Sequence, residues 1–285
     1  MKITWIADYD TLDHKGGAQQ TNKILIEHGK NIGFKIQEIT LKNYEKETPT
    51  GLVILNNIAK LYLKDPEYIK HIIGAYPYIR YEHDYLWMGD VPMPFVHTIF
   101  ANSKLNVFVS PMHREAHRVQ GIQIKRDRIR PSPIEMERFE GIVKNPRKNT
   151  VIYMGGIAKH KGIDNIFNHA RNHRKYHYDL YGWVEHGELL ENKPSNCSIL
   201  SPVPYDEVPK ILSEHEMAIH LPNWKEPFGR FVAETFVAGC KLITNDNIGF
   251  MSYPWFDWDR ERVVDKLKDA GAHFWQMVYE SNGNY

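Results

Sequence analysis

The sequence has few of the residues that mark a secreted, metal-stapled or membrane-spanning chain. Only Cys197 and Cys240 occur among its 285 residues, too few for a disulfide framework or a four-thiolate zinc site. No apolar run approaches the roughly 20 residues that span a bilayer. The first residues enter a strand pattern without the basic stretch and apolar segment of a signal peptide. We therefore expect a cytoplasmic protein without a transmembrane segment, with both thiols reduced.

Excess charge of either sign is also lacking. Lysine and arginine total 36 against 35 aspartate and glutamate, a formal net charge of +1, which does not fit a strongly basic, dedicated nucleic-acid binder. The balance hides an asymmetry. Residues 1–148 carry a charge of +5 and residues 149–285 a charge of −4. The first half is the predicted anion-facing side, and it permits a polyanionic partner without requiring one.

Strand-like runs alternate with helical patterns along the whole chain, as is typical of βαβ units and parallel sheets. In the first half we predict strands at 3–7, 34–39, 52–55, 78–81 and 106–109, with helices at 17–32 and 95–104. In the second half we predict strands at 151–154, 178–181, 198–200, 217–221 and 241–244, with helices at 162–173, 205–214 and 230–239. A long amphipathic helix is predicted at 260–280.

This length and pattern predict an α/β protein with two facing, Rossmann-like, doubly wound domains. The polar segment 144–149 has the composition of a linker. We therefore predict an N-terminal, acceptor-side domain at 1–145, a donor-binding domain at 150–259 and a C-terminal helix at 260–285 that packs back across the domains. Ligands of doubly wound sheets bind outside the carboxyl ends of the strands, so the cleft between the domains is the expected site.

Two carboxylates flank a glycine turn in the segment Glu226–Glu234, which reads EPFGRFVAE. Phe228 and Gly229 in this segment immediately precede a predicted helix. Free backbone N–H groups and the positive dipole end at a helix N-terminus suit a diphosphate, and a carboxylate one turn further on can accept ribose hydroxyls. The segment is therefore a candidate nucleotide-sugar site, although the spacing of the two acids alone also fits a solvated acidic turn.

Glycines and lysines follow the strand at 151–154, where residues 155–162 read GGIAKHKG. Adjacent glycines bring backbone N–H groups close to an anion, and Lys161 stands just before a helix. Alone, this pattern is also that of an ordinary strand-to-helix turn. Combined with the acidic segment, it predicts a phosphate-binding end of the sheet.

With both motifs in place, the second half of the chain resembles the donor domain of the family-four retaining glycosyltransferases, which have the GT-B fold. In that family a strand, Gly-Arg, a short gap and Lys-Gly precede the first helix of this domain. Lys161 is retained here, but Gly156 stands at the arginine position, and glycine does not replace a bidentate guanidinium. Arg230 follows the Phe-Gly pair, where the family usually has an aliphatic residue, and we take it as the substitute cation.

The resemblance implies a role for each remaining donor residue. Glu234 would hold the ribose hydroxyls, and Glu226 would contact sugar hydroxyls near the reacting carbon. The backbone of Phe228 and Gly229 would cradle sugar or phosphate. Residues 200–205, which read LSPVPY and include Pro202 and Val203, are similar to the loop of the family that lies near the base.

The first half resembles the family as well. Residues 15–18, KGGA, stand where the family has a glycine-rich loop that contacts the donor phosphates, which makes Gly16 and Gly17 donor-binding candidates. His83, within RYEHDY at residues 80–85, resembles the active-site histidine of the family, with neighbouring acids able to orient it. Residues 129–139 are similar to the strand, turn and phenylalanine that precede the family's linker.

The activity implied is transfer of a hexose from a UDP- or GDP-sugar to an acceptor hydroxyl, with retention and without a required metal or other cofactor. His83, Glu226, Lys161 and Arg230 are the catalytic candidates. The acceptor stays open between a glycan and a hydroxymethylated base in DNA, and the protein can be a monomer or a homodimer. Two alternatives are a sugar-nucleotide 2-epimerase and an inactive nucleotide-sugar-binding protein. Product analysis on donor alone separates the first from a transferase.

Three further patterns are assigned to structure rather than chemistry. His113 and His117 are spaced as metal ligands on one helix face, but the neighbouring glutamate does not stand where the zinc-protease pattern requires it, so we expect a solvated face. The Asp-x-Asp segments at 8–10 and 257–259 lack a supporting frame for a metal. The basic run at 125–130 is expected to be a solvated edge unless it meets phosphates.

Overall fold

The computed structural model describes residues 1–11 and 16–283. Its described residues fall into two compact units. Unit 1 comprises Met1–Pro133 and the C-terminal stretch from Leu267, and unit 2 comprises Ile134–Lys266. The division precedes the polar segment 144–149, because Ile134 is already buried and Phe139 packs against a hydrophobic cluster of unit 2.

Unit 1 is built around a sheet whose described strands are all parallel. The strands are β1 Lys2–Ile6, β2 Lys35–Ile39, β3 Leu52–Asn56, β4 Tyr78–Glu82, β5 Leu105–Phe108 and β6 Asp127–Ile129. The helices between them are α1 Gly17–Asn31, α2 Ala59–Lys64, α3 Pro66–Ala75, α4 Met93–Ala101 and α5 Pro111–Val119. The strand order is β2-β1-β3-β4-β5-β6, so the winding direction reverses between β1 and β3.

The centre of this sheet is buried on both faces, as expected of parallel strands covered by helices. All five residues of β3 and of β4 are buried. Arg80 and Glu82 lie in β4 despite their charges, and they form an ion pair there. A paired guanidinium and carboxylate tolerate the interior, whereas either one alone would be strongly destabilising.

Unit 2 repeats the architecture with a second parallel sheet. Its strands are β7 Arg147–Met154, β8 His177–Tyr181, β9 Cys197–Leu200, β10 His215–His220 and β11 Lys241–Thr244. Its helices are α6 Ile163–Asn172, α7 Val208–Ser213 and α8 Arg230–Val237, followed by α9 Arg260–Lys268, whose last two residues are assigned to unit 1. The order is β11-β10-β7-β8-β9, which places the reversal of winding between β7 and β10.

The C-terminal region differs from the predicted single helix at 260–280. It forms two helices, α9 and α10 Ala270–Ser281, with Asp269 between them in a non-helical backbone conformation. In unit 1 the Trp275 indole N–H donates to the Leu25 carbonyl of α1 over 2.7 Å. Gly29 of α1 leaves the room that this indole occupies, since a Cβ there would lie 2.5 Å from the Trp275 ring.

The expectation of a solvated face for His113 and His117 is wrong, because both side chains are fully buried. They lie on α5, where their rings contact the aromatic rings of Phe108, Phe100 and Trp87. Burial lowers the pKa of His113 to about 3 and holds the pKa of His117 well below its ordinary value. The helical spacing was correctly recognised, but it marks a core face rather than a surface.

None of the described helices combines the length and apolarity needed to cross a bilayer.

Candidate functional site

The functional candidates of unit 2 gather at the carboxyl ends of β7 and β10, the adjacent strands between which the winding reverses. Chain segments leaving such neighbouring strands diverge to opposite faces of the sheet and open a crevice, which is where ligands of doubly wound folds bind. The loop after β7 holds Gly156 and Lys161, and the loop after β10 holds Glu226, Phe228 and Gly229. We call these two loops together with α8 the switch-point site.

Close backbone contacts fix the two loops against each other. Gly162 has a left-handed φ of 79°, and a Cβ at this position would lie 1.8 Å from the Leu221 carbonyl oxygen. The Asn223 N–H donates to the His160 carbonyl over 3.0 Å, and the Asn165 side chain donates to Leu221 over 2.9 Å. Glycine at 162 is therefore required by both conformation and space.

Lys161 and Glu226 meet across these loops. The Lys161 ammonium donates to Glu226 Oε1 over 2.6 Å, and the Trp224 indole N–H donates to the same oxygen over 3.0 Å. His220 Nε2 lies 3.5 Å from it. Burial raises the pKa of Glu226, but the hydrogen bond from His220 and the charge of Lys161 outweigh burial and hold the pKa below its ordinary value. Glu226 is therefore a carboxylate at neutral pH.

The backbone around Glu226 is equally constrained. Its N–H donates to the Asn247 carbonyl over 2.8 Å, and its carbonyl accepts from Gly249 over 3.0 Å. Phe250 donates to the Phe228 carbonyl over 2.7 Å. Gly229 then adopts a left-handed conformation, φ 82°, as the residue before α8. This turn directs the chain into the helix, as the sequence motif predicts.

On α8, the Arg230 Nε–H donates to Glu234 Oε1 over 2.8 Å, one helical turn further on. Arg230 also donates to the Tyr205 hydroxyl, and that hydroxyl lies 3.2 Å from Glu234 Oε1, to which it donates. The side chains of Arg230 and Glu234 are 10% and 6% exposed, so the pair is largely withdrawn from solvent. Burial lowers the pKa of Arg230, but Glu234 and Tyr205 raise it overall, which keeps the guanidinium charged.

The remaining donor candidates of unit 2 lie on neighbouring strand ends. A Cβ added to Gly156 would meet nothing within 4 Å, so the position that carries the arginine of the family faces open space. The Gly156 carbonyl accepts the Tyr153 hydroxyl over 2.8 Å. Pro202 and Val203 follow β9, and Val203 packs against the hydrophobic cluster that includes Ile152 and Leu212.

In unit 1, Gly16 is the residue before α1 in an extended conformation, and Gly17 is the first residue of that helix. Lys15, which completes the glycine motif, lies outside the described residues. His83 follows β4, half-buried, with its ring 4.2 Å from that of Tyr81. Its neighbour Glu82 is paired with Arg80, so the structure directs this acid into the core.

Sequence reasoning missed the partners of the two key carboxylates. His220 and Trp224 contact Glu226. Tyr205 contacts the Arg230–Glu234 pair, and Arg138 stacks on the Tyr205 ring. The position of His220 was a usable signal, because it is the last residue of β10 and the carboxyl ends of parallel strands carry ligand contacts. Arg138 lies 96 residues ahead of Glu234, and no periodicity links the two.

Comparison with known proteins agrees with this architecture. Residues 135–254 match the family model of glycosyl transferases group 1. Anabaena HepE in complex with UDP and glucose is similar over 100% of both chains, with 14% identity and a TM-score of 0.71. Sucrose-phosphate synthase from Thermosynechococcus elongatus is similar over 100% of both chains, with 12% identity and a TM-score of 0.78.

An alpha-glucosyltransferase in complex with UDP and a 13-mer DNA containing an HMU base is also similar. It shares 12% identity at a TM-score of 0.62, over 100% of this chain and 94% of that one. No curated protein matches the chain in sequence.

The chain has two parallel sheets with alternating helices, and its fold is similar over its whole length to these solved structures. This is the GT-B fold, as the resemblance predicted. Within it, the stretch that matches the family model of glycosyl transferases group 1, residues 135–254, includes the switch-point site.

Proposed function

We propose that the protein transfers a hexose from a nucleoside-diphosphate sugar, UDP-hexose first among them, to an acceptor hydroxyl with retention at the anomeric carbon. The observation that carries the proposal is the Lys161–Glu226 pair, which stands at the switch point of the unit 2 sheet just ahead of α8. A cation, an ionised acceptor of hydrogen bonds and a helix N-terminus are the groups that a sugar diphosphate needs.

The diphosphate would lie against Lys161 and the first N–H groups of α8. The Lys161 side chain is 27% exposed, so a ligand can reach its ammonium. The first N–H groups of a helix have no partner within the helix and point along its positive end, which suits an anion. Arg230, the first residue of α8, is the proposed further cation in place of the missing arginine at Gly156.

The sugar and the ribose would then be held by different acids. Glu226 is ionised and can accept hydroxyl groups of the transferred hexose, while Phe228 and Gly229 present backbone to it. Glu234 accepts the ribose hydroxyls, with Pro202 and Val203 near the base. Solved structures of similar fold carry UDP or UDP-glucose, which supports a UDP-sugar donor ahead of a GDP-sugar.

In the transfer step, the bond from the anomeric carbon to the diphosphate oxygen breaks, and that oxygen keeps the electron pair. The acceptor oxygen bonds to the same face of the carbon, and its proton passes to the departing diphosphate. Negative charge grows on the diphosphate during this step, so Lys161 and the α8 amides stabilise the transition state more than the ground state. Under this proposal the transfer needs no metal, because Lys161 and the α8 amides carry the charge stabilisation.

Unit 1 contributes candidates of its own under this proposal. Gly16 and Gly17 begin α1 with exposed backbone, suited to a donor phosphate. His83 is proposed to hydrogen-bond the transferred sugar, and its half-buried ring beside Tyr81 restricts its rotation. The acceptor stays a choice between a glycan and a hydroxymethylated base in DNA, and the DNA complex of an alpha-glucosyltransferase of similar fold supports testing the second.

The decisive experiment is calorimetric titration with UDP-glucose, UDP-galactose, GDP-mannose and the free nucleotides. Any donor that binds is then incubated with oligosaccharides and with hydroxymethyl-pyrimidine DNA, and the anomeric configuration of the product is read by NMR. Transfer with retention supports the proposal. Absence of nucleotide-sugar binding across the panel refutes it, and conversion of the donor without acceptor indicates an epimerase instead.

A further inference from the structure

Tyr205 connects two parts of unit 2 that are distant in sequence. Its hydroxyl lies between the Arg230 guanidinium and the Glu234 carboxylate on α8, while its backbone belongs to the turn that follows β9. The hydroxyl therefore donates to Glu234 and accepts from Arg230 at once. A single atom thus links the loop after β9 to the carboxylate proposed to hold ribose.

Arg138 fixes the ring of Tyr205 from another side. Its guanidinium carbon lies 3.5 Å from the centre of the Tyr205 ring, and it donates to the Tyr205 carbonyl. The Arg138 side chain is only 14% exposed, and Glu135 lies 4.0 Å from it. A guanidinium stacked on a ring and bonded to the same residue restrains both the side chain and the backbone of Tyr205.

The charges around the hydroxyl keep it in one protonation state. Burial raises the pKa of Tyr205, and the nearby Glu234 carboxylate raises it further, which together outweigh the opposing charges of Arg230 and Arg138. The phenol therefore stays neutral and keeps the proton that it donates to Glu234. The Glu234 oxygen that Tyr205 and Arg230 contact is the same atom, Oε1.

From this geometry we propose that Tyr205, clamped by Arg138, is a positioning residue that orients the Glu234 carboxylate and so determines how strongly the protein distinguishes ribose from deoxyribose. The proposal rests on the proposed function, because it takes Glu234 as the ribose acceptor. Tyr205 and Arg230 both donate to Glu234 Oε1. These two hydrogen bonds fix the orientation of the carboxylate and therefore also the position of its other oxygen, Oε2. Loss of the hydroxyl would let the carboxylate turn and weaken its bonds to the ribose.

The test compares the dissociation constants of UDP and 2′-deoxy-UDP in the wild type and in Tyr205→Phe, which keeps the ring and removes only the hydroxyl. We expect wild type to favour UDP by about 10-fold or more, and the ratio to fall by about 5-fold in Tyr205→Phe. Arg138→Met and Arg138→Lys are both expected to lower the ratio, because an ammonium does not reproduce planar stacking. Tyr178→Phe is the matched control, since its hydroxyl bonds to His169 in the same unit.

The outcomes are distinguishable. If wild type binds neither nucleotide, the proposed function fails. If wild type binds both equally, Glu234 does not select ribose and the inference falls with that role. If Tyr205→Phe weakens both nucleotides alike and leaves the ratio unchanged, Tyr205 is merely structural and the inference is overturned while the proposed function stands.

Discussion

Arg230, the first residue of α8, donates to Glu234 one turn further along the helix over 2.8 Å. The cation proposed for the diphosphate and the carboxylate proposed for the ribose are thus partners of each other. A nucleoside diphosphate would offer each of them a second partner of opposite polarity. Their contributions to binding should therefore be coupled rather than additive, as is usual for residues in direct contact.

Glu234→Ala should weaken UDP binding by roughly 1.5–3 kcal/mol, the value of a hydrogen-bonding charged group. The double variant Arg230→Met with Glu234→Ala should lose less than the sum of the single losses, because each single variant leaves a buried charge without its partner. Isothermal titration of the four proteins gives the coupling. Glu216→Ala, which removes a partly exposed acid of the same unit that pairs with Lys241, is the control. Unchanged affinity in Glu234→Ala would exclude the ribose role.

Lys161→Met should lower kcat by about 100-fold or more, since an ammonium at the departing diphosphate acts mainly in the transition state. The variant also leaves Glu226 without its main cation, so the pKa of Glu226 should rise toward its ordinary value. The rate against pH should then show a new loss of activity on the acidic side. Lys175→Met serves as control, and a variant that changes only KM would assign Lys161 to ground-state binding.

Gly156→Arg should fold as the wild type does, because a side chain at 156 enters open space and needs no unusual backbone angle. If Arg230 replaces the arginine that the family has at this position, Gly156→Arg should restore a large part of the UDP affinity lost in Arg230→Met. Affinities of the single and double variants settle the point. A double variant as weak as Arg230→Met would show that the two positions do not serve the same phosphates.

Gly162→Ala should destabilise unit 2 by about 2 kcal/mol or more, through left-handed backbone strain and a clash with the Leu221 carbonyl. Gly187→Ala provides the comparison, because a Cβ there meets nothing within 4 Å. Chemical denaturation compares the two. Equal free energies of unfolding for the two variants would mean that the loop after β10 moves away from residue 162 without loss of stability.

Acid should destabilise unit 1 through its buried histidines. Burial first, and the charge of Arg80 further, lower the pKa of His113 to about 3, while the unfolded chain binds the proton near pH 6.5. The stabilisation is therefore complete above about pH 6.5 and is lost as the pH falls toward 3. Between pH 7 and 5 the free energy of unfolding should fall by about 2 kcal/mol through His113, and His117 should lower it in the same direction. His117→Leu should flatten this dependence, whereas the exposed His273→Gln should not.

The strands were the most predictable part of the fold. Continuous apolar runs such as 52–55 and 151–154 are found as buried strands in β3 and β7, because parallel strands covered on both faces need apolar residues throughout. The short helices α2 and α3 were not predicted, since six to ten residues carry too little periodicity. The break at Asp269 also escaped prediction, because the apolar spacing continues across it and only the backbone conformation changes.

For the site, the local motifs predicted which loops carry the functional residues, but they did not predict which distant residues those side chains contact. The ion pair between Lys161 and Glu226 joins residues 65 positions apart, and the sheet order that brings them together follows from tertiary packing rather than from either motif. The same holds for the stack of Arg138 on Tyr205. His113 and His117 show the opposite error, in which spacing was recognised and burial was misjudged.

The pairing of Glu226 with the segment 247–249 matters for any attempt to change the donor sugar. The side chains of Asn245 and Asn247 both donate to the Pro222 carbonyl over 3.0 Å, so that segment in turn supports the start of the Glu226 loop. The two stretches are bonded to each other in both directions and would have to be exchanged together in a chimera. If residues 226–229 alone were exchanged, the new carboxylate would depend on backbone hydrogen bonds to Asn247 and Gly249 that position the present one.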